Sequence, residues 1–95
     1  MDPFEALLEH YPETIAQMPE QFDSHAFILR LASRHQALYV QALAEYPDSD
    51  APFKTVHGRL AKALHQFDAM VTHEGTVTST DIFGDDTSAA LWRKR

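Results

Sequence analysis

Phe53-Lys54-Thr55-Val56-His57-Gly58-Arg59-Leu60-Ala61-Lys62-Ala63-Leu64-His65-Gln66-Phe67 places Phe53, Val56, Leu60, Leu64 and Phe67 at spacings of 3, 4, 4 and 3. That is the period of one buried helical face. The pattern then changes. Met70-Val71-Thr72 and Thr76-Val77-Thr78 are β-prone triplets on either side of His73-Glu74-Gly75. A helix over 53–67 followed by a hairpin over 69–93 is therefore predicted, and this switch decides the fold class. Ser88–Arg95 reads either as the second strand or as a short helix capped by Asp86, Thr87 or Ser88, with Arg93, Lys94 and Arg95 at its C-terminal dipole end.

Upstream, prolines punctuate. Asp2 before Pro3 is a cap followed by a first-turn proline, Pro12 restarts or kinks the chain, and Pro19 ends an N-terminal helical segment over 1–19. A central helix is predicted over 24–46, capped by Asp23 or Ser24 and stopped by Pro47. Ile28, Leu31, His35, Leu38, Tyr39, Ala42 and Tyr46 share one face of it. Leu29, Ala37, Val40 and Ala44 gather on nearly the opposite side, so the helix is expected to be covered on two sides. His35, in the middle of the main stripe, is expected to be at least half buried and hydrogen-bonded to a neighbour. His10 and His25 are expected at the surface.

The 95 residues fit one domain, 1–95, with 44% hydrophobic and 23% charged residues. The expected class is mainly α (α+β): three helices and a C-terminal β-hairpin. Cysteine is absent, which excludes disulfides and thiolate chemistry. The first five residues lack the basic and apolar regions of a signal peptide, no apolar run is long enough to span a membrane, and the cytoplasm is the expected compartment.

No motif of nucleophile, base and orienter stands out, and three glycines leave little for a phosphate cradle. No catalytic residue and no cofactor is assigned. His57 and His65 lie two turns apart, about 12 Å along a helix, too far for one metal. Asp81, Asp85 and Asp86 lack the alternating ligands and closing glutamate of an EF-hand loop. No metal ligand is assigned either.

Charge is uneven. The net is −6, yet residues 1–52 carry two bases against nine acids, and 53–95 six bases against five acids. No acid falls between Phe53 and Phe67. The exposed side of that helix offers Lys54, Thr55, Arg59, Lys62, His65 and Gln66, donors suited to phosphates and base edges. Arg93, Lys94 and Arg95 would add phosphate contacts. Asp81-Ile82-Phe83-Gly84 is read as a turn fixed by Asp81, with a positive φ at Gly84. Trp92 is expected to close over Ile82 and Phe83. Phe83 and Trp92 are the candidate anchors for a protein partner.

Three helices followed by two strands resemble a small winged-helix domain over about residues 24–95. The resemblance implies DNA binding through the third helix, with residues 75–88 as the wing. The chain departs from it in its acidity and in three wing aspartates. Phe53…His57 with Asp81-Ile82-Phe83-Gly84…Trp92 also resembles short uncharacterised bacterial proteins, a likeness that carries no function. The expected function is a non-catalytic regulatory domain that binds duplex DNA weakly or as a homodimer. The alternative is a protein–protein interaction module without nucleic-acid binding.

Overall fold

The computed structural model describes residues 2–95; Met1, part of the expected N-terminal segment, lies outside them. Proline and aspartate set the first helix starts. The Asp2 carboxylate accepts from the Phe4 N–H at 2.9 Å and opens α1, Pro3–Leu8, with Pro3 in its first turn. Pro12 likewise sits in the first turn of α2, Tyr11–Gln17. Met18, which precedes Pro19, turns extended and ends that helix.

A short strand follows, β1 at Gln21–Asp23. Asp23 closes it and caps α3, Ser24–Arg34: its Oδ1 accepts from the Ala26 N–H at 2.9 Å. The helix expected over 24–46 is two helices. His35, at φ −134° and ψ 55°, breaks it, and α4 runs over Gln36–Leu43. No proline or glycine marks this break; tertiary contacts of the His35 ring hold it. Pro52 opens α5, Pro52–Ala63, and a 3₁₀ turn, Leu64–Phe67, completes the predicted 53–67 segment. The hairpin is β2, Val71–Thr80, and β3, Asp86–Lys94, so residues 88–94 are strand rather than helix.

The sheet is antiparallel in the order β1-β3-β2. With five helices among the described residues, the class is α+β. Between His73 and Gly75 the register shifts, which leaves Glu74 as an extra residue. Gly75 takes φ 117°, a region costly to any residue with a Cβ. The bulged Glu74 accepts from Gln21 Nε2 at 2.9 Å and Arg93 Nε at 3.0 Å, tying all three strands. Those donors hold its carboxyl below the usual range.

The core joins Phe4 and Leu7 of α1, Tyr11 and Ile15 of α2, Phe22 of β1, Phe27, Ile28 and Leu31 of α3, Val56 and Leu60 of α5, and Trp92 of β3. The buried Tyr11 hydroxyl donates to the Leu60 carbonyl at 2.6 Å, and burial pushes its ionisation well above the usual tyrosine range. Leu29 and Val40 are 52% and 61% exposed, so the second apolar side of the central segment is open to solvent. The bend at His35 turns α4 so that only its Leu38, Tyr39, Ala42 and Leu43 side meets the core. No helix among the described residues is long and apolar enough to cross a membrane.

Candidate functional site

The predicted donors divide by what already holds them. Lys54, Lys62 and Gln66 are exposed on α5 and the turn after it, and their side chains make no hydrogen bond or ion pair among the described residues. Thr55 turns its hydroxyl back to the Ala51 carbonyl, 3.1 Å away. The Arg59 guanidinium lies 3.7 Å over the Phe4 ring and donates to the Tyr46 hydroxyl at 3.1 Å. His65 stands edge-on to Trp92, with 4.8 Å between ring centroids, and covers it.

The C-terminal bases are occupied within the chain. Arg93 pairs with Glu74 at 3.0 Å. Lys94 Nζ donates to the Ala16 and Met18 carbonyls at 3.3 and 2.9 Å, satisfying backbone at the end of α2. Arg95 donates to the Asp68 carbonyl. Lys54 and Lys62 are thus exposed on α5, whereas the three C-terminal bases are held by partners within the chain.

Trp92 is 2% exposed and belongs to the core. Its indole N–H donates to Ser24 Oγ at 3.2 Å, and its ring contacts His65 and His73, not Ile82 and Phe83. Strand length explains the correction. Asp86 pairs with Thr80 at the hairpin tip, whereas Trp92 pairs with His73 near its open end. Six residues of strand put about 20 Å between them.

Phe83 is 57% exposed and meets Phe53 of α5, itself 40% exposed, edge-on at 5.0 Å. Its ring also stacks on His57 at 6.1 Å. The tip is built as its sequence suggests. Asp81 Oδ1 accepts from the Phe83 and Asp85 N–H groups at 2.9 and 3.0 Å, and Gly84 takes φ 88°. These bonds, that from Asp85 foremost, hold the Asp81 carboxyl below the usual range. Beneath the aromatics, the Tyr39 hydroxyl lies 2.6 Å from His57 Nε2. Burial raises the Tyr39 pKa and lowers that of His57. Both shifts favour the neutral pair, so the phenol donates and Nε2 accepts.

Between α5 and the hairpin runs a groove of about 590 Å³, floored by Ile28, Ala61 and Ala89. His25 is half-buried at its wall, with Nε2 3.2 Å from Thr87 Oγ1 and a buried Nδ1 that has no partner among the described residues.

A third constellation was not foreseen. His10 Nδ1 and His35 Nε2 lie 2.8 and 3.0 Å from the same oxygen, Glu13 Oε1. The two imidazoles stack at 3.8 Å. His35 is largely buried, as expected for its stripe, whereas His10 is only partly exposed. The one readable signal was His10-x-x-Glu13, one helical turn apart; the arrival of His35 is a product of the α3–α4 bend.

No protein-family model, curated protein or solved structure matches the chain.

Proposed function

We propose that the chain is a non-catalytic regulatory domain of winged-helix type that acts as a protein–protein interaction module, with the Phe53–Phe83 patch as its docking point. The observation that carries this reading is a pair of exposed aromatics in mutual contact, held on rigid elements by the Asp81 turn and the first turn of α5. Aromatic anchors of this kind dominate interface energetics. The order of elements, helices and then a hairpin, supports the winged-helix type. Asp81, Asp85 and Asp86 surround Phe83 in sequence, so the fitting partner is a peptide segment with an apolar anchor flanked by lysine or arginine.

Selection of a random peptide library on the full chain tests this. Enriched peptides should combine an aromatic or aliphatic residue with basic ones, and Phe83→Ser should weaken them at least tenfold. Enriched peptides that bind Phe83→Ser unchanged would refute the patch.

Duplex DNA, bound weakly or by a dimer, is the second reading, favoured by the exposed Lys54, Lys62 and Gln66. The aspartate-rich tip opposes it. It sits against Phe53 and His57, at the N-terminal part of α5, the part of a recognition helix that meets base edges. With Arg93 paired to Glu74, the five remaining bases of residues 53–95 would give a salt slope no steeper than about −4.5. Anisotropy of a labelled random duplex at about 50 mM salt is expected to show no association at tens of micromolar protein. Association abolished by Lys54→Glu with Lys62→Glu would establish DNA binding through α5.

A further inference from the structure

The geometry points to a divalent transition-metal site, best suited to Zn²⁺, formed by His10 Nδ1, Glu13 Oε1 and His35 Nε2. These three atoms lie within 4.8 Å of one another. Zinc bonds of about 2.1 Å in tetrahedral array need ligand atoms about 3.4 Å apart. The two nitrogens already stand 2.8 and 3.0 Å from the shared oxygen; because the rings stack at 3.8 Å, one of them must rotate out of the stack to turn its in-plane lone pair to the ion. Two imidazoles and one carboxylate form a borderline donor set that favours zinc, copper or nickel over magnesium or calcium.

Both rings aim a nitrogen at one carboxylate oxygen, so each must present an N–H there. The rings are nearly parallel, at 20° and 3.8 Å, and in its neutral form each can place one N–H there. One divalent ion would replace both protons and take the two nitrogen lone pairs and the carboxylate oxygen.

The ligands are anchored. The His10 carbonyl accepts from both the Thr14 N–H, at 3.1 Å, and the Thr14 hydroxyl, at 2.7 Å. His35 donates its N–H to the Leu31 carbonyl and accepts from the Tyr39 N–H, both at 3.0 Å. The helix break at His35 thus holds one ligand against the first turn of α2, which carries the other two. The Glu13 side chain is 53% exposed, which leaves an entry path and a coordination position for water. Nothing in this site touches the Phe53–Phe83 patch, and the inference stands apart from the proposed docking function.

Calorimetric titration of the full chain with Zn²⁺ tests the site, alongside the His10→Gln/Glu13→Gln/His35→Gln triple variant and the singles His10→Gln and Glu13→Gln. Circular dichroism verifies that each variant folds. The expected result is one equivalent bound, weakened at least tenfold in each single variant and lost in the triple. Long-range ¹⁵N spectra should show the metal on His10 Nδ1 and His35 Nε2 while His57, His65 and His73 stay unchanged. If the triple variant does not fold, the singles and the ¹⁵N spectra decide. Unweakened binding in both singles, metal on other histidines, or no binding by the wild-type chain at about 100 µM Zn²⁺, about tenfold above the weak end of sensor-type ion sites, would overturn the assignment.

Discussion

Replacing Ser24 by alanine in two backgrounds, wild-type and Trp92→Phe, probes the joint between helices and sheet. Ser24 opens α3 and is 3% exposed; Trp92, at 2%, comes from β3. Their hydrogen bond is 3.2 Å long, and the Ser24 hydroxyl faces the Ala90 carbonyl at 3.4 Å. The serine hydrogen thus points to Ala90, and its lone pair takes the indole N–H. Ser24→Ala alone strands that N–H in the core and should cost about 1–3 kcal/mol. Trp92→Phe removes the donor and part of the ring, about 2 kcal/mol together. In the Trp92→Phe background no N–H remains to strand, so Ser24→Ala should cost about 1 kcal/mol less than in wild-type. That difference is the coupling energy. Urea unfolding followed by far-ultraviolet circular dichroism measures all four proteins, because the chain has one tryptophan and fluorescence is lost with it. Equal cost of Ser24→Ala in both backgrounds would refute the bond and the seating of Trp92 derived from it.

Val40→Ser should leave the urea midpoint unchanged within about 0.5 kcal/mol, because Val40 faces solvent, whereas Leu31→Ala should cost about 2–5 kcal/mol; similar losses from both would mean the open side is covered. Gly75→Ala should destabilise by about 1 kcal/mol or more, since φ is 117° at the bulge, and an unchanged midpoint would exclude that conformation. His57 has its folded pKa lowered by burial. Below about pH 6.5 the unfolded chain takes up a proton that the folded chain refuses, so this contribution is complete above that pH and is lost as pH falls through the folded pKa. The stability lost between pH 7.5 and pH 5 should shrink in His57→Gln, and an equal loss in the two proteins would contradict the half-buried neutral Tyr39–His57 pair.

Much of the architecture was legible in residue spacing. Phe53 to Phe67 carried a helical period, and the valines and threonines after Met70 carried a strand signal that local forces largely decide. The Asp81 turn was readable because an aspartate followed by Gly84 encodes its own hydrogen bonds and φ. Three features were not legible, each for a tertiary reason. Gln21-Phe22-Asp23 has one apolar residue and becomes a strand because the β3 edge needs a partner. The break at His35 has no breaker residue and is fixed by a ring reaching Glu13 on another helix. The partners that hold Arg93, Lys94 and Arg95 follow from where Glu74, the end of α2 and Asp68 come to lie. Charge counting along a sequence treats every lysine and arginine as free; packing decides which are.

The proposed docking surface is tested most directly by chemical-shift mapping of the full chain with a selected basic-aromatic peptide. The expected result is perturbation of the Phe53 and His57 rings and of residues 81–86, with Arg59, Lys62 and Gln66 unmoved. Perturbation centred on Arg59, Lys62 and Gln66, with the Phe53 and Phe83 rings unmoved, would contradict the assignment of the docking point and return the function to the polar face of α5.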